Sequence, residues 1–99
     1  MKRTREEVLK IIEGQRDKLK SFGVRRLGLF GLAVRGEADE GSDLDFLVDL
    51  EHHTFDAYMD LKFFLEELFG CKVDLVLPDT LKPRLKGYIM QEVVFVPGL

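Results

Sequence analysis

Asp43 and Asp45 are separated by a single residue, Leu44, at the head of an apolar run that ends at Leu50. Alternate side chains of an extended strand share a face, so the two carboxylates project together while Leu44 turns toward packing. Two acids on one face repel each other unless a cation lies between them. Magnesium is the natural partner, because it takes hard oxygen ligands, typically one or two carboxylates completed by substrate phosphates. A third acid, Asp74, lies inside a second apolar run, Lys72–Leu77, and comes beside Asp45 if the two runs pair. Three acids on adjacent strands suit two ions flanking a phosphorus, an arrangement that clamps the attacking and leaving oxygens of an in-line displacement. Such chemistry is nucleotidyl transfer. Gly31 directly follows another short apolar run, so backbone there can approach phosphate oxygens closely, helped by the amides of any short helix that begins at that point.

These residues need a scaffold of strands and helices. Thr4 followed by Glu7 reads as a capping box, and Val8, Ile11, Ile12 and Leu19 recur at near-helical spacing, which predicts one helix from about Thr4 to Lys20. Ser21-Phe22-Gly23 breaks it. Arg26–Phe30 alternates Leu27 and Leu29 against Arg26 and Gly28 and predicts the first strand. Gly31–Ser42, with three glycines, two alanines and many charges, reads as a connection carrying one helical turn around Leu32–Val34. Leu44–Leu50 is the second strand, and Thr54–Phe69, stopped by Gly70, a second long helix. Lys72–Leu77 is the third strand. Leu81–Glu92 is a helix with Pro83 in its first turn, and Val93–Val96 a fourth strand or a loosely paired tail. The expected fold class is mixed α/β (α+β): a small sheet of three to four strands flanked by helices, within one domain spanning residues 1–99.

Composition excludes several classes. With 45% hydrophobic and 33% charged residues, the 99-residue chain has the balance of one folded globule rather than of a disordered or membrane protein. No apolar run is long enough to span a bilayer, and the opening MKRTREEVLK reads as polar helix rather than signal peptide, so a cytoplasmic location is expected. A net charge of −3 gives no general attraction to long DNA or RNA, although Lys82, Arg84 and Lys86 form a local basic cluster. Cys71, the single cysteine, has no zinc-ligand neighbours and reads as an inert thiol. His52 and His53 point opposite ways and belong to a solvated turn. Phe55, Phe63, Phe64 and Phe69 lie on an amphipathic helix and are assigned to core or to a partner interface, Tyr58 and Tyr88 to amphipathic packing, and Glu37, Asp39 and Glu40 to loop charge.

The string Gly31-Leu32, a short gap, Arg35-Gly36, a gap, and Ser42-Asp43-Leu44-Asp45 resembles the signature of polymerase-beta-like nucleotidyltransferases. It is most similar to the minimal MNT proteins that act as antitoxins beside HEPN-domain toxins, and the likeness extends through the Asp74 strand to Leu81-Lys82-Pro83-Arg84-Leu85. The resemblance implies that Asp43, Asp45 and Asp74 are catalytic metal ligands for Mg²⁺, with Asp74 also supporting base catalysis. It further implies that Gly31, Leu32, Arg35 and Ser42 bind the nucleotide, with ATP as substrate. Leu32 departs from the pattern, standing where the family has a serine that contacts the triphosphate. Loss of one hydrogen bond to a charged group costs about 1.5–3 kcal/mol, roughly tenfold to 150-fold in affinity or rate. The implied function is transfer of AMP to a tyrosine hydroxyl of a HEPN ribonuclease toxin. The alternative is a catalytically weak antitoxin that neutralises the toxin by direct binding, and self-association into a homo-oligomer stays open.

Overall fold

The computed structural model describes residues 4–37 and 42–99. Asp39 and Glu40, read above as loop charges, lie outside them. In chain order the elements are α1 (Arg5–Glu13), α2 (Arg16–Ser21), β1 (Val24–Phe30), a 3₁₀ turn (Gly31–Ala33), β2 (Leu44–Leu50), α3 (Phe55–Phe69), β3 (Val73–Val76), a second 3₁₀ turn (Pro78–Thr80), α4 (Pro83–Glu92) and β4 (Val94–Phe95). The strands form one sheet in the order β3-β2-β1-β4. β1 runs antiparallel to both β2 and β4, while β2 and β3 are parallel.

The parallel pair requires a crossover, and α3 provides it. Thr54 caps its start by accepting from the Ala57 N–H at 3.1 Å, and Gly70 ends it in the left-handed conformation at φ 65°. Leu61, Leu65 and Phe69, spaced four apart, form its buried stripe. Phe69 stacks on Phe46 with ring centroids 6.0 Å apart, and Phe64 meets Phe22 at 5.2 Å. Phe55 and Phe63 do not join them: they are 76% and 59% exposed. Phe63 lies two residues from Leu61, about 200° around the helix, which turns it away from the buried stripe.

The single N-terminal helix expected over Thr4–Lys20 is in fact two. Thr4 caps α1 through the Glu7 N–H, as the capping signature predicts, but the chain turns at Gly14 and Gln15, whose N–H groups bond back to Lys10 and Ile12. The break allows Leu19 to reach the same core as Val8 and Ile12. On the sheet, Leu27 and Leu29 of β1, Phe46 and Val48 of β2 and Leu75 of β3 all face this core. Leu47 and Ile89 are buried too, yet belong outside that cluster. They mark the second face of the sheet, which α4 flanks. β4 forms as a short paired strand, with Phe95 opposite Gly28 and the Arg26 guanidinium 4.0 Å from its ring.

Candidate active site

Strand alternation sorts β2 into two sets. Phe46, Val48 and Leu50 point into the core; Asp45, Leu47 and Asp49 point to the other face. Register then builds the site. Asp45 lies opposite Phe30 in β1, the residue before Gly31, and opposite Asp74 in β3. The sequence expectation that Asp74 comes beside Asp45 is met by direct pairing. Asp43 sits one residue before β2 rather than within it, because ladder pairing begins where the Leu44 N–H donates to Lys72 O at 3.1 Å. Its negative charge nevertheless acts on Asp45.

Asp45 is the perturbed group of the site. Burial, followed by the negative charges of Asp74, Asp43 and Glu92, pushes its carboxyl up from the usual 3.8 to about 6, with Arg35 opposing. Such crowding of like charge is relieved by a cation. Among the described residues no three His, Cys, Asp or Glu side chains close into a metal cage. An open set of carboxylates on two strands still fits Mg²⁺, which keeps water and phosphate oxygens among its ligands and seldom uses an all-protein cage.

Gly31 is held by two constraints. Its φ is +78°, and a Cβ at this position would collide with the Asp45 carboxylate, with Cγ only 3.0 Å away. The backbone of the turn therefore packs directly on the acid. The Gly31 carbonyl accepts from Val34 and Arg35 N–H groups at 3.2 and 3.3 Å, which tightens the turn. Leu32, within this turn, is 37% exposed. Ser42 is half-buried just ahead of Asp43.

Arg35 reaches across to the end of α4. Its Nη1 pairs with Glu92 Oε1, its Nε lies 3.6 Å from Glu37 Oε2, and the Glu92 bond raises its pKa above the ordinary value. Glu37 is thus more than loop charge. The second oxygen of Glu92 accepts from the Gly31 N–H at 3.0 Å. Sequence reasoning missed Glu92, treating it only as the last helical residue. A weak hint existed: an acid in the final turn opposes the helix dipole and calls for a cation, yet no local spacing points to Arg35, 57 residues away.

An open cleft of about 610 Å³ lies beside these groups, lined by Gly31, Arg35, Asp74, Leu85, Tyr88 and Glu92 among others. Tyr88, expected to pack, is 71% exposed on its wall. The buried residue of α4 is Ile89, and Tyr88 lies about 100° around the helix from it. Tyr58 does pack, donating its hydroxyl to Leu75 O at 2.6 Å. A smaller hollow of about 240 Å³, lined by Arg26, Asp49, His53 and Lys86 among others, occupies the far end of the same sheet face. It contains none of the three candidate acids, whereas Asp74 lines the larger cleft. His52 and His53 are exposed in a bend, and Cys71 is half-buried. No helix among the described residues is long and apolar enough to cross a membrane.

Comparison with known proteins bears on the family and the fold. Residues 9–96 match the family model described as the nucleotidyltransferase domain. The protein adenylyltransferase MntA of Thermococcus cleftensis is 42% identical over 95 residues, covering 94% of this chain and 96% of its own. A solved structure provisionally named a minimal nucleotidyltransferase superposes with a TM-score of 0.72 at 36% identity, covering 87% of this chain and 93% of its own. The tri-AMPylated HEPN toxin of Shewanella oneidensis in complex with an MNT antitoxin contributes a match with a TM-score of 0.65. At 19% identity, with 92% of this chain and 73% of that chain covered, it speaks to fold alone. By model, sequence relative and structure together, the chain belongs to the nucleotidyltransferase domain family and is a homologue of the MntA protein adenylyltransferase.

Proposed function

We propose that this chain is a single-domain protein adenylyltransferase that moves AMP from ATP to a tyrosine hydroxyl of a HEPN-domain toxin in the cytoplasm, and thereby acts as its antitoxin. The observation that carries the reading is the in-register pairing of Asp45 with Asp74, with the positive-φ backbone of Gly31 packed on Asp45. The name of the MntA relative supports a protein acceptor, and the resemblance to MNT antitoxins suggests the toxin tyrosine.

Asp43, Asp45 and Asp74 would hold Mg²⁺, which when bound neutralises the triphosphate and the charge that develops on it. The remaining work falls to the protein. Gly31 offers a backbone N–H and Arg35 a guanidinium to phosphate oxygens, and Ser42 adds a hydroxyl beside the acids. Asp74, exposed on the cleft wall, faces an incoming hydroxyl and accepts its proton. The hydroxyl oxygen bonds the α-phosphorus as the bond to pyrophosphate breaks. The Leu32 side chain offers no hydrogen bond to the triphosphate, which lowers affinity.

The test is the intact mass of the HEPN partner after incubation with ATP, magnesium and this protein. Mass added in AMP steps by the wild type, and absent with an Asp43→Asn/Asp45→Asn double variant, is the expected result. A partner that is bound and inhibited but gains no mass would replace catalysis with direct binding as the antitoxin mechanism.

A further inference from the structure

Glu92 holds two groups that the reading above assigns to the triphosphate. Its Oε2 accepts from the Gly31 N–H at 3.0 Å, and its Oε1 takes the Arg35 guanidinium. A backbone amide in a glycine turn and a forked guanidinium are the donors that phosphate oxygens take most readily.

The position of Glu92 is otherwise unfavourable. It ends α4, where the negative pole of the helix repels an anion, and the last turn carries no basic residue to offset it. Its charge also acts against Asp45. The side chain is only 24% exposed, so water screens these repulsions incompletely. Two opposing fields act on this carboxylate, and the contacts that hold it are those with Gly31 and Arg35.

We propose that Glu92 is an internal surrogate for the triphosphate. It holds the Gly31 amide and Arg35 in their receiving positions before nucleotide arrives, and a polyphosphate must displace it to bind. The proposal rests on the cradle assignment made under Proposed function. It makes Glu92 a specificity-determining residue. A ligand with one phosphate competes poorly against a tethered carboxylate that already holds both donors, whereas a triphosphate brings several anionic oxygens to the same place. Displacement is also a cost on binding, because the cradle is competent only in the fraction of molecules whose carboxylate has swung away.

The experiment is calorimetric titration of inorganic triphosphate and of orthophosphate, with magnesium, into wild type, Glu92→Gln and Glu92→Asp. Glu92→Gln keeps the shape and removes the charge; it is expected to bind inorganic triphosphate about tenfold tighter and to discriminate less against orthophosphate. Glu92→Asp keeps the charge on a shorter stem and is expected to fall between them. On wild type, the Gly31 amide resonance should move when triphosphate is added. Unchanged or weaker triphosphate binding by a folded Glu92→Gln overturns the proposal. If Glu92→Gln does not fold, triphosphate binding by Glu92→Asp no tighter than wild type overturns it equally. Triphosphate binding by no form, with a silent Gly31 amide, would remove the cradle reading itself, an outcome distinct from binding that ignores Glu92.

Discussion

The two faces of the sheet are built from the same strands and follow opposite rules. On the core face, Leu27, Leu29, Phe46, Val48 and Leu75 are no more than 3% exposed and entirely apolar. On the other face the same strands present Arg26, Asp45, Asp49 and Asp74, and α4 flanks them beside two open clefts. Neighbours in sequence thus serve different ends: Phe46 fixes the strand so that Asp45 and Leu47 are aimed. The face that packs is apolar, and the face proposed to carry the chemistry gathers like charge around Asp45.

Substitutions one residue apart should separate these roles. Phe46→Ala removes a fully buried ring that stacks on Phe69 and is expected to cost about 3–5 kcal/mol of stability, read from the shift of a urea unfolding midpoint. Transfer activity per folded molecule should survive where enough protein stays folded. Asp45→Asn is expected to do the reverse: transfer falls roughly 10²–10³-fold, about 3–4 kcal/mol of transition-state stabilisation by analogy with loss of one electrostatic group, while the protein stays folded. A folded Asp45→Asn with normal transfer in the mass assay would break the division between the faces. The third change sharpens it at the cleft. Leu32→Ser alters an exposed side chain, so stability should move by less than about 0.5 kcal/mol. A restored hydroxyl on the triphosphate should tighten ATP by roughly tenfold to 150-fold in a calorimetric titration. Unchanged ATP affinity would mean that the turn does not hold the phosphates.

The faces also differed in how far sequence revealed them. The pairing of Asp45 with Asp74 was legible because strand alternation fixes direction and two short apolar runs around a long helix favour a parallel pair. Gly31 was legible as the residue that ends β1. The division of the N-terminal helix was not, because Gly14 leaves the spacing of Val8, Ile12 and Leu19 intact, and only the core reveals that the chain turns there. The outward placement of Phe63 and Tyr88 was hidden because an amphipathic pattern does not rank large residues by angle. Glu92 was invisible for a different reason: its partners, Gly31 and Arg35, are 61 and 57 residues away, and the contact exists only once β4 and α4 are docked beside β1.

The smallest effect tests the stability cost of the chemical face directly. Asp45 holds its proton more tightly in the folded protein, at about 6 against the usual 3.8, chiefly through burial and the neighbouring Asp74. The folded state therefore binds more protons than the unfolded chain between these values, and its stability falls as pH rises through that window. Each unit corresponds to about 1.4 kcal/mol, but the carboxylate is partly solvated, so the contribution is discounted to about 1 kcal/mol. In the presence of a chelator, Asp45→Asn should be more stable than wild type by about that amount at pH 7, and the two should converge toward pH 4. Urea unfolding at both pH values measures the difference. Magnesium should stabilise wild type more than the variant, because a cation among the acids removes a repulsion that the substitution has already relieved. A gap between the two proteins that is the same at pH 4 and pH 7 would show that the open face carries no such electrostatic cost, and that Asp45 is tolerated there without need of a cation.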